Sequence, residues 1–256
     1  MKWTKILLPM LLVTSNLVLA ETLGIATKSL SNELTVEELV DRIDNLYRLD
    51  SSHATITMEI QTPDWQRSMT MEMWTKGQDY ALIRILAPRK EKGVATLKRG
   101  NEMWNYFPKI NKEIKIPPSM MMGSWMGSDF TNDDLVREVS LLEEYDAELE
   151  TQDSGYKLTL IPKEQTVTVW GKIIIDIEPQ HLLPTKERYF DEDGTPMREM
   201  RFLELTDFDG LILPRVMELV PLNKDNQKTT LVYDNLVFNQ SPDDKLFTLI
   251  NLKRMR

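Results

Sequence analysis

Three pairs of adjacent carboxylates, Asp133-Asp134, Glu143-Glu144 and Asp243-Asp244, and two histidines, His53 and His181, are the groups in this 256-residue chain most suited to acid–base or metal chemistry. Their spacing argues against both. Neighbours at i and i+1 point in different directions, so such a pair serves a helix N-terminus or solvation sooner than a shared proton. A zinc site needs three or four converging ligands, and neither histidine has a second one at ligand spacing. The serines lack a visible base, and the chain contains neither a Gly-rich phosphate loop nor a Gly-x-Ser-x-Gly elbow. With no cysteine, disulfides, thiolate catalysis and Cys-ligated zinc are all excluded. The residues therefore predict a protein that is not an enzyme and carries no cofactor and no metal.

What remains is apolar chemistry. Pro117 to Phe130 brings Met120, Met121, Met122 and Met126 together with Trp125 and Phe130 in a loop-like context. Methionine is unbranched and polarizable, so it conforms to greasy partners of variable shape. The segment is either a plug in the core or a flexible lid over a ligand, and its place between two runs of strands favours the lid.

Lys2 and Lys5 precede an apolar run from Ile6 to Leu19, and Val18 and Ala20 suit signal peptidase. The run is short for a membrane span of roughly 20 residues, so residues 1–20 read as a secretory signal cleaved after Ala20. Removing them takes away two lysines and no acid, which moves the formal net charge from −9 to −11. That acidity argues against nucleic acid or an anionic bilayer as partner. The predicted location is the periplasm, with no stable membrane insertion after cleavage. Basic clusters at Arg89 to Lys92, Lys109 to Lys115 and Lys253 to Arg256 read as solvated surface, with docking to an acidic membrane protein as the alternative.

The elements follow from periodicity. Val36, Leu39, Val40, Ile43, Leu46 and Tyr47 recur at helical spacing, and Thr35 with Glu38 forms a capping-box pair, which predicts a helix over 35–49. From His53 the period changes to two. Ala54, Ile56, Met58 and Ile60 alternate with polar residues, and after a turn at Asp64 to Gln66 so do Met69, Met71 and Met73. Short strands are predicted at 80–86, 94–98, 102–107 and 113–116. A second helix is predicted from Thr131 or Asn132, with Leu135, Val136, Val139, Leu142 and Tyr145 on one side. Strands resume at 156–161, 167–177, 183–190, 197–206, 213–219 and 229–238, with a turn at Asp191 to Pro196. Ser241 to Phe247 reads as one capped helical turn.

No linker divides the strands, so residues 21–256 are one domain. The fold class is mainly β: a single strongly curved antiparallel sheet, a half-barrel whose helices and Met-rich loop form a lid over a hydrophobic cavity. Candidate lipid-binding residues are Met58, Met69, Met71, Met73, Met103, Met120, Met121, Met122, Trp125, Met126 and Phe130. Alternation alone does not say which strand face looks inward.

An exported chain opening with such a helix and strand resembles the outer-membrane lipoprotein-sorting proteins of bacteria, the LolA-like group. The resemblance extends through Glu102-Met103-Trp104-Asn105-Tyr106-Phe107-Pro108, through Met120 to Leu135, and through Pro242-Asp243-Asp244-Lys245-Leu246-Phe247-Thr248, where it is similar to that group's large uncharacterised branch. It implies an open half-barrel over a cavity for acyl chains, with lipoprotein or lipid acyl chains as cargo carried toward the outer membrane. It also implies an alternative, an envelope sensor or an accessory of an inner-membrane RND or ABC-type transporter.

Overall fold

In a computed structural model of the protein, the described residues are 35–136 and 141–254. The expected signal peptide, residues 1–20, lies outside them, as does Val139. Helix α1 spans Val36–Asp44, and thirteen strands follow. They are β1 (Ser51–Gln61), β2 (Gln66–Lys76), β3 (Tyr80–Ala87), β4 (Ala95–Arg99), β5 (Glu102–Phe107), β6 (Lys112–Lys115), β7 (Tyr145–Gln152), β8 (Gly155–Pro162), β9 (Lys172–Ile177), β10 (Pro184–Phe190), β11 (Pro196–Phe208), β12 (Leu211–Pro221) and β13 (Lys228–Phe238). Short helices α2 (Asn132–Val136) and α3 (Leu141–Glu144) lie between β6 and β7, and α4 (Leu249–Leu252) follows β13. No helix among the described residues is long and apolar enough to cross a membrane.

All thirteen strands form one antiparallel sheet in the order β6-β5-β4-β3-β2-β1-β13-β12-β11-β10-β9-β8-β7. Two meanders meet where β1 pairs with β13. The sheet is curved and unclosed, with β6 and β7 as its free edges. Register shifts at Thr55/Ile56, Thr70/Met71, Tyr189/Phe190 and Pro184/Lys186 each insert an unpaired residue. Such bulges bend a strand and increase its twist, which is how so wide a sheet coils.

Alternation on β1 and β2 defines the inner face. Ala54, Ile56, Met58, Ile60, Met69 and Met71 are buried there, and register sets Met58 opposite Met69 and Ile56 opposite Met71. These residues head the largest apolar cluster, which Trp125 and Phe130 join from the segment after β6. A second cluster packs Leu39, Val40 and Ile43 of α1 against Leu141, Tyr145 and the inward residues of β8 and β9. The outer face of β3 to β5 is apolar too. Leu82 and Leu97 are capped there by Phe247 and Leu252, and Arg84 Nη2 donates to the Asn251 carbonyl at 2.8 Å.

Several expectations need correction. The first helix ends at Asp44, and the chain continues as turns to Leu49, which has φ +46. Tyr145 begins strand β7 instead of ending a helix. Tyr145, Ala147 and Leu149 do alternate there, but the intervening Asp146, Glu148 and Glu150 are poor strand formers, so pairing with β8 overrides local preference. Val167 is fully exposed in a loop, and its strand starts only at Lys172.

Gly155, in the β7–β8 hairpin, has φ +138, and a Cβ there would lie 2.1 Å from the Ile177 carbonyl oxygen. Gly194 has φ +78 with nothing within 4 Å. Gly155→Ala should therefore cost clearly more than the roughly 1 kcal/mol expected of an ordinary positive-φ glycine, and Gly194→Ala should cost about that amount. Urea unfolding of the two variants beside the parent measures the difference.

Candidate ligand-binding pocket

The inner face carries a pocket of about 250 Å³. Its apolar wall comes from Ile56 and Met58 of β1, Met71 and Met73 of β2, Met200 of β11, Met217 of β12 and Leu231 of β13, with Trp125 and Phe130 opposite. Polarity is graded along β2. Met71, Met73, Thr75 and Gly77 line the pocket in turn, about 20 Å from first to last at strand rise. At the Gly77 end the lining becomes Asp44, Arg48, Gln78 and Lys98. Lys98 Nζ donates to the Gln78 carbonyl, and Gln78 Nε2 donates to Asn45 Oδ1 at 3.2 Å. Tyr47 and Tyr233 stack in the wall, ring centroids 4.7 Å apart, and Tyr47 Oη donates to the Pro214 carbonyl at 2.8 Å. Burial pushes both phenols well above their ordinary values, so they remain protonated donors.

The segment after β6 crosses this face and is fastened on both sides. Trp125 Nε1 donates to Thr96 Oγ1 on β4 at 3.1 Å, and Arg67 on β2 donates to the Met126 carbonyl. Asp129 Oδ2 accepts from Thr229 Oγ1 on β13 at 2.8 Å. Asp134 takes a two-pronged bond from Arg198 on β11, at 2.8 and 2.7 Å. Arg198 lies 4.1 Å from the Tyr189 ring centre and 4.6 Å from that of Trp170, so its guanidinium is held by charge and by aromatic faces together. Thr131 caps α2: its Oγ1 accepts from the Asp134 amide at 3.1 Å while its own amide and hydroxyl donate to Asp134 Oδ2. Of the three carboxylate pairs, Asp133-Asp134 thus supplies a helix cap and a cross-sheet tie.

The sequence-derived candidates fall into three groups. Met58, Met71, Met73, Trp125 and Phe130 line the pocket. Met69 and Met103 are buried in the same apolar cluster without lining it, and Met121 and Met126 pack partly buried against that cluster. Met120 and Met122 are 55% and 43% exposed. Sequence reasoning missed Met200, Met217, Leu231 and Tyr233. Met200 and Met217 stood on strands with legible alternation, but nothing local said that those strands border β1 through β13. The histidines serve local structure. His53 Nε2 lies 2.8 Å from Glu72 and its ring stacks on Trp74, while the His181 amide donates to Glu178 at 2.7 Å. Among the described residues no group of three His, Asp or Glu could hold a metal.

Burial alone would raise the Asp134 carboxyl, but the Arg198 charge and the Thr131 donors outweigh it and hold it below the usual carboxylate range. Its stabilisation is therefore full above the unfolded carboxylate value and drains away as pH falls through the lower folded one. Asp134→Asn should cost about 3–5 kcal/mol at neutral pH, as expected when one partner of a buried pair is removed. In acid the variant and the parent should converge, a pattern that denaturant unfolding at neutral and low pH measures directly.

This architecture recurs in known proteins. The chain superposes on an outer membrane lipoprotein-sorting protein domain from Vibrio parahaemolyticus with TM-score 0.73 and 20% identity, covering 86% of this chain and 100% of that one. A DUF1329 family protein from Desulfovibrio piger gives TM-score 0.76 and 21% identity over 84% of this chain and 96% of its own. A LolA superfamily protein from Nitrosomonas europaea gives 0.68 and 20% over 84% and 97%. No curated protein matches the sequence. A family model described as "Uncharacterized protein" matches residues 77–254, more than half of the chain. The chain belongs to that uncharacterized family and has the LolA-like fold.

Proposed function

We propose that this protein is a periplasmic carrier that holds an acyl chain of a lipoprotein or lipid and moves it toward the outer membrane. The working domain is residues 21–256, released by cleavage after Ala20. The observation that carries this reading is the Met-walled pocket between the inner face and the segment around Trp125 and Phe130. Each methylene buried there gains roughly 0.8 kcal/mol, so binding strengthens with every carbon that leaves water. At about 250 Å³ the pocket sits just below the roughly 300–1,000 Å³ of pre-formed ligand sites. A chain enters by displacing methionine side chains, which deform at low cost. Release requires a partner that favours the emptied state, because populations shift only through differential affinity. The description of the Vibrio domain as lipoprotein-sorting supports the same reading. Binding is favoured over catalysis because polar groups of the wall hold the fold: Asp134 grips Arg198, and Tyr47 is spent on Pro214.

A second reading, an accessory that grips a protein partner of an inner-membrane transporter, draws support from Leu203, Leu205, Leu211 and Ile212. These are 36–49% exposed near the β11–β12 hairpin. A native mass spectrum of gently purified mature protein separates the two. The carrier should retain acyl-lipid adducts, and Met71→Asp or Trp125→Asp should strip them while circular dichroism stays unchanged. Adducts retained at the parental level by both folded variants would remove the pocket from the function, and a consistently empty protein that co-purifies with a membrane complex would favour the accessory.

A further inference from the structure

Two basic runs that lie apart in the sequence, Arg89 to Lys92 and Lys109 to Lys115, come together in the fold. Strands β3 to β6 are consecutive in the sheet, and one rung runs across them through Arg84, Ala95, Tyr106 and Glu113. The β3–β4 and β5–β6 turns therefore leave the sheet at the same end and at nearly the same level, two strand spacings or about 10 Å apart. Both turns are tight. The Lys92 amide donates to the Pro88 carbonyl at 3.0 Å, and the Asn111 amide donates to the Pro108 carbonyl at 3.1 Å. The β1–β2 hairpin turns at this end too, since Gln61 pairs with Gln66 and Thr70 with Ala87.

Arg89, Lys90, Lys92, Lys109 and Lys112 are exposed on these turns, and among the described residues none of the five is in an ion pair. The acids among them are Glu91 and Asp64, because Glu113 is taken by Lys253 at 2.9 Å. Apolar side chains stand beside the cations: Ile110 is 60% exposed, Trp65 44% and Leu86 37%. Cations without fixed partners suit a diffuse negative surface better than one discrete carboxylate. Apolar side chains on turns can enter a lipid interface, where tryptophan is particularly favoured. The net charge of −9 does not oppose this, since exposed charges further apart than a Debye length of roughly 8 Å are largely screened from one another. The carboxylates of Asp191, Glu192 and Asp193 stand at the same end in the β10–β11 turn, five strands along the sheet. That end is thus basic over β3–β6 and acidic over β10–β11, which orients the molecule at a negative surface.

We propose that the β3–β4 and β5–β6 turns, with Trp65, form a docking face for an anionic phospholipid surface on which the protein rests peripherally. The inference goes beyond the carrier reading and does not depend on it. The five cations meet the headgroups, and Ile110 and Trp65 enter the headgroup boundary. Beyond Gly77, at the other end of the strands, lies a polar groove with Asn45, Asp50 and Asn239 in its walls. Docking through the basic turns leaves that groove facing away from the lipid.

Flotation of the full mature protein with vesicles of phosphatidylcholine, and of phosphatidylcholine with equal phosphatidylglycerol, tests this. Partition should be confined to the anionic vesicles and fall steeply with added salt. Lys109→Gln should weaken it about fivefold, and Arg89→Gln added to it about thirtyfold in all. Because the chain has no cysteine, Ile110→Cys and Gln152→Cys each accept a single environment-sensitive fluorophore. Gln152 is exposed at the opposite end of the sheet, in the β7–β8 hairpin. The label at position 110 should shift to the blue on anionic vesicles, and the label at position 152 should not. Equal partition to both vesicles, a blue shift at both positions, or unchanged partition of the folded double variant would each overturn the inference. No partition at all would overturn it as well and leave these turns to an acidic protein partner. In every case the carrier reading is decided separately, by its acyl-lipid adducts.

Discussion

A single open sheet whose ends are β6 and β7 imposes one requirement on everything else: the chain leaving β6 must travel to the opposite edge before β7 can start. At strand spacings near 4.8 Å, thirteen flat strands would be about 58 Å wide, with an apolar face and no second sheet to cover it. The stretch between Lys115 and Tyr145 meets both needs, carrying the chain across and laying Trp125 and Phe130 on the exposed apolar face. Its reach also reports the curvature. Trp125 bonds β4 and Asp134 bonds β11, strands six places apart, or about 29 Å on a flat sheet. Yet the Trp125 amide folds back to the Phe130 carbonyl at 2.8 Å, so the eight residues between those anchors are far from extended. Only a strongly coiled sheet brings β4 and β11 to so short a span.

The fastening of that crossing explains why methionine and charge are distributed as they are. Polar anchors hold the segment through its backbone, at Arg67 and Thr229, and through the side chains of Trp125 and Asp134, at Thr96 and Arg198. Directional bonds supply register, and non-directional burial supplies the wall. A ligand arriving in the pocket therefore meets adaptable side chains on a braced frame. The braces lie over the Trp125 side, whereas the Gly77 end, between the turn after α1 and the β2–β3 turn, leads to the polar groove.

Much of this was legible residue by residue. Alternation at Ala54 to Ile60 and Met69 to Met73 pointed to strands with one dry face, and the inner face buries those side chains, Met73 only in part. Thr131 was readable as a cap because a hydroxyl three residues before a carboxylate satisfies local donors whatever the tertiary context. Asp243 and Thr248, which cap the last turns, are equally local. Tyr145 was misread because an acidic stretch of low strand propensity is rescued by eight ladder pairs with β8, which no local pattern encodes. Arg198 offered no signal at all, since one arginine on a polar strand looks like solvated surface until Asp134, Tyr189 and Trp170 converge on it.

The amino-acid order by itself determined the strand and helix periods, the apolar and polar sides of each strand, the absence of thiol chemistry and the position of a Met-rich crossing between two sets of strands. These are properties of neighbours along the chain, set by periods of 2.0 and 3.6 residues and by the chemistry of single side chains. Tertiary structure alone decided that β1 pairs with β13, that Met200, Met217, Leu231 and Tyr233 therefore share a wall with Met58 and Met71, and that Arg198 meets Asp134. The reason is that closing contacts over such separations depends on the summed twist and bulges of many strands, a quantity that no short window of sequence contains.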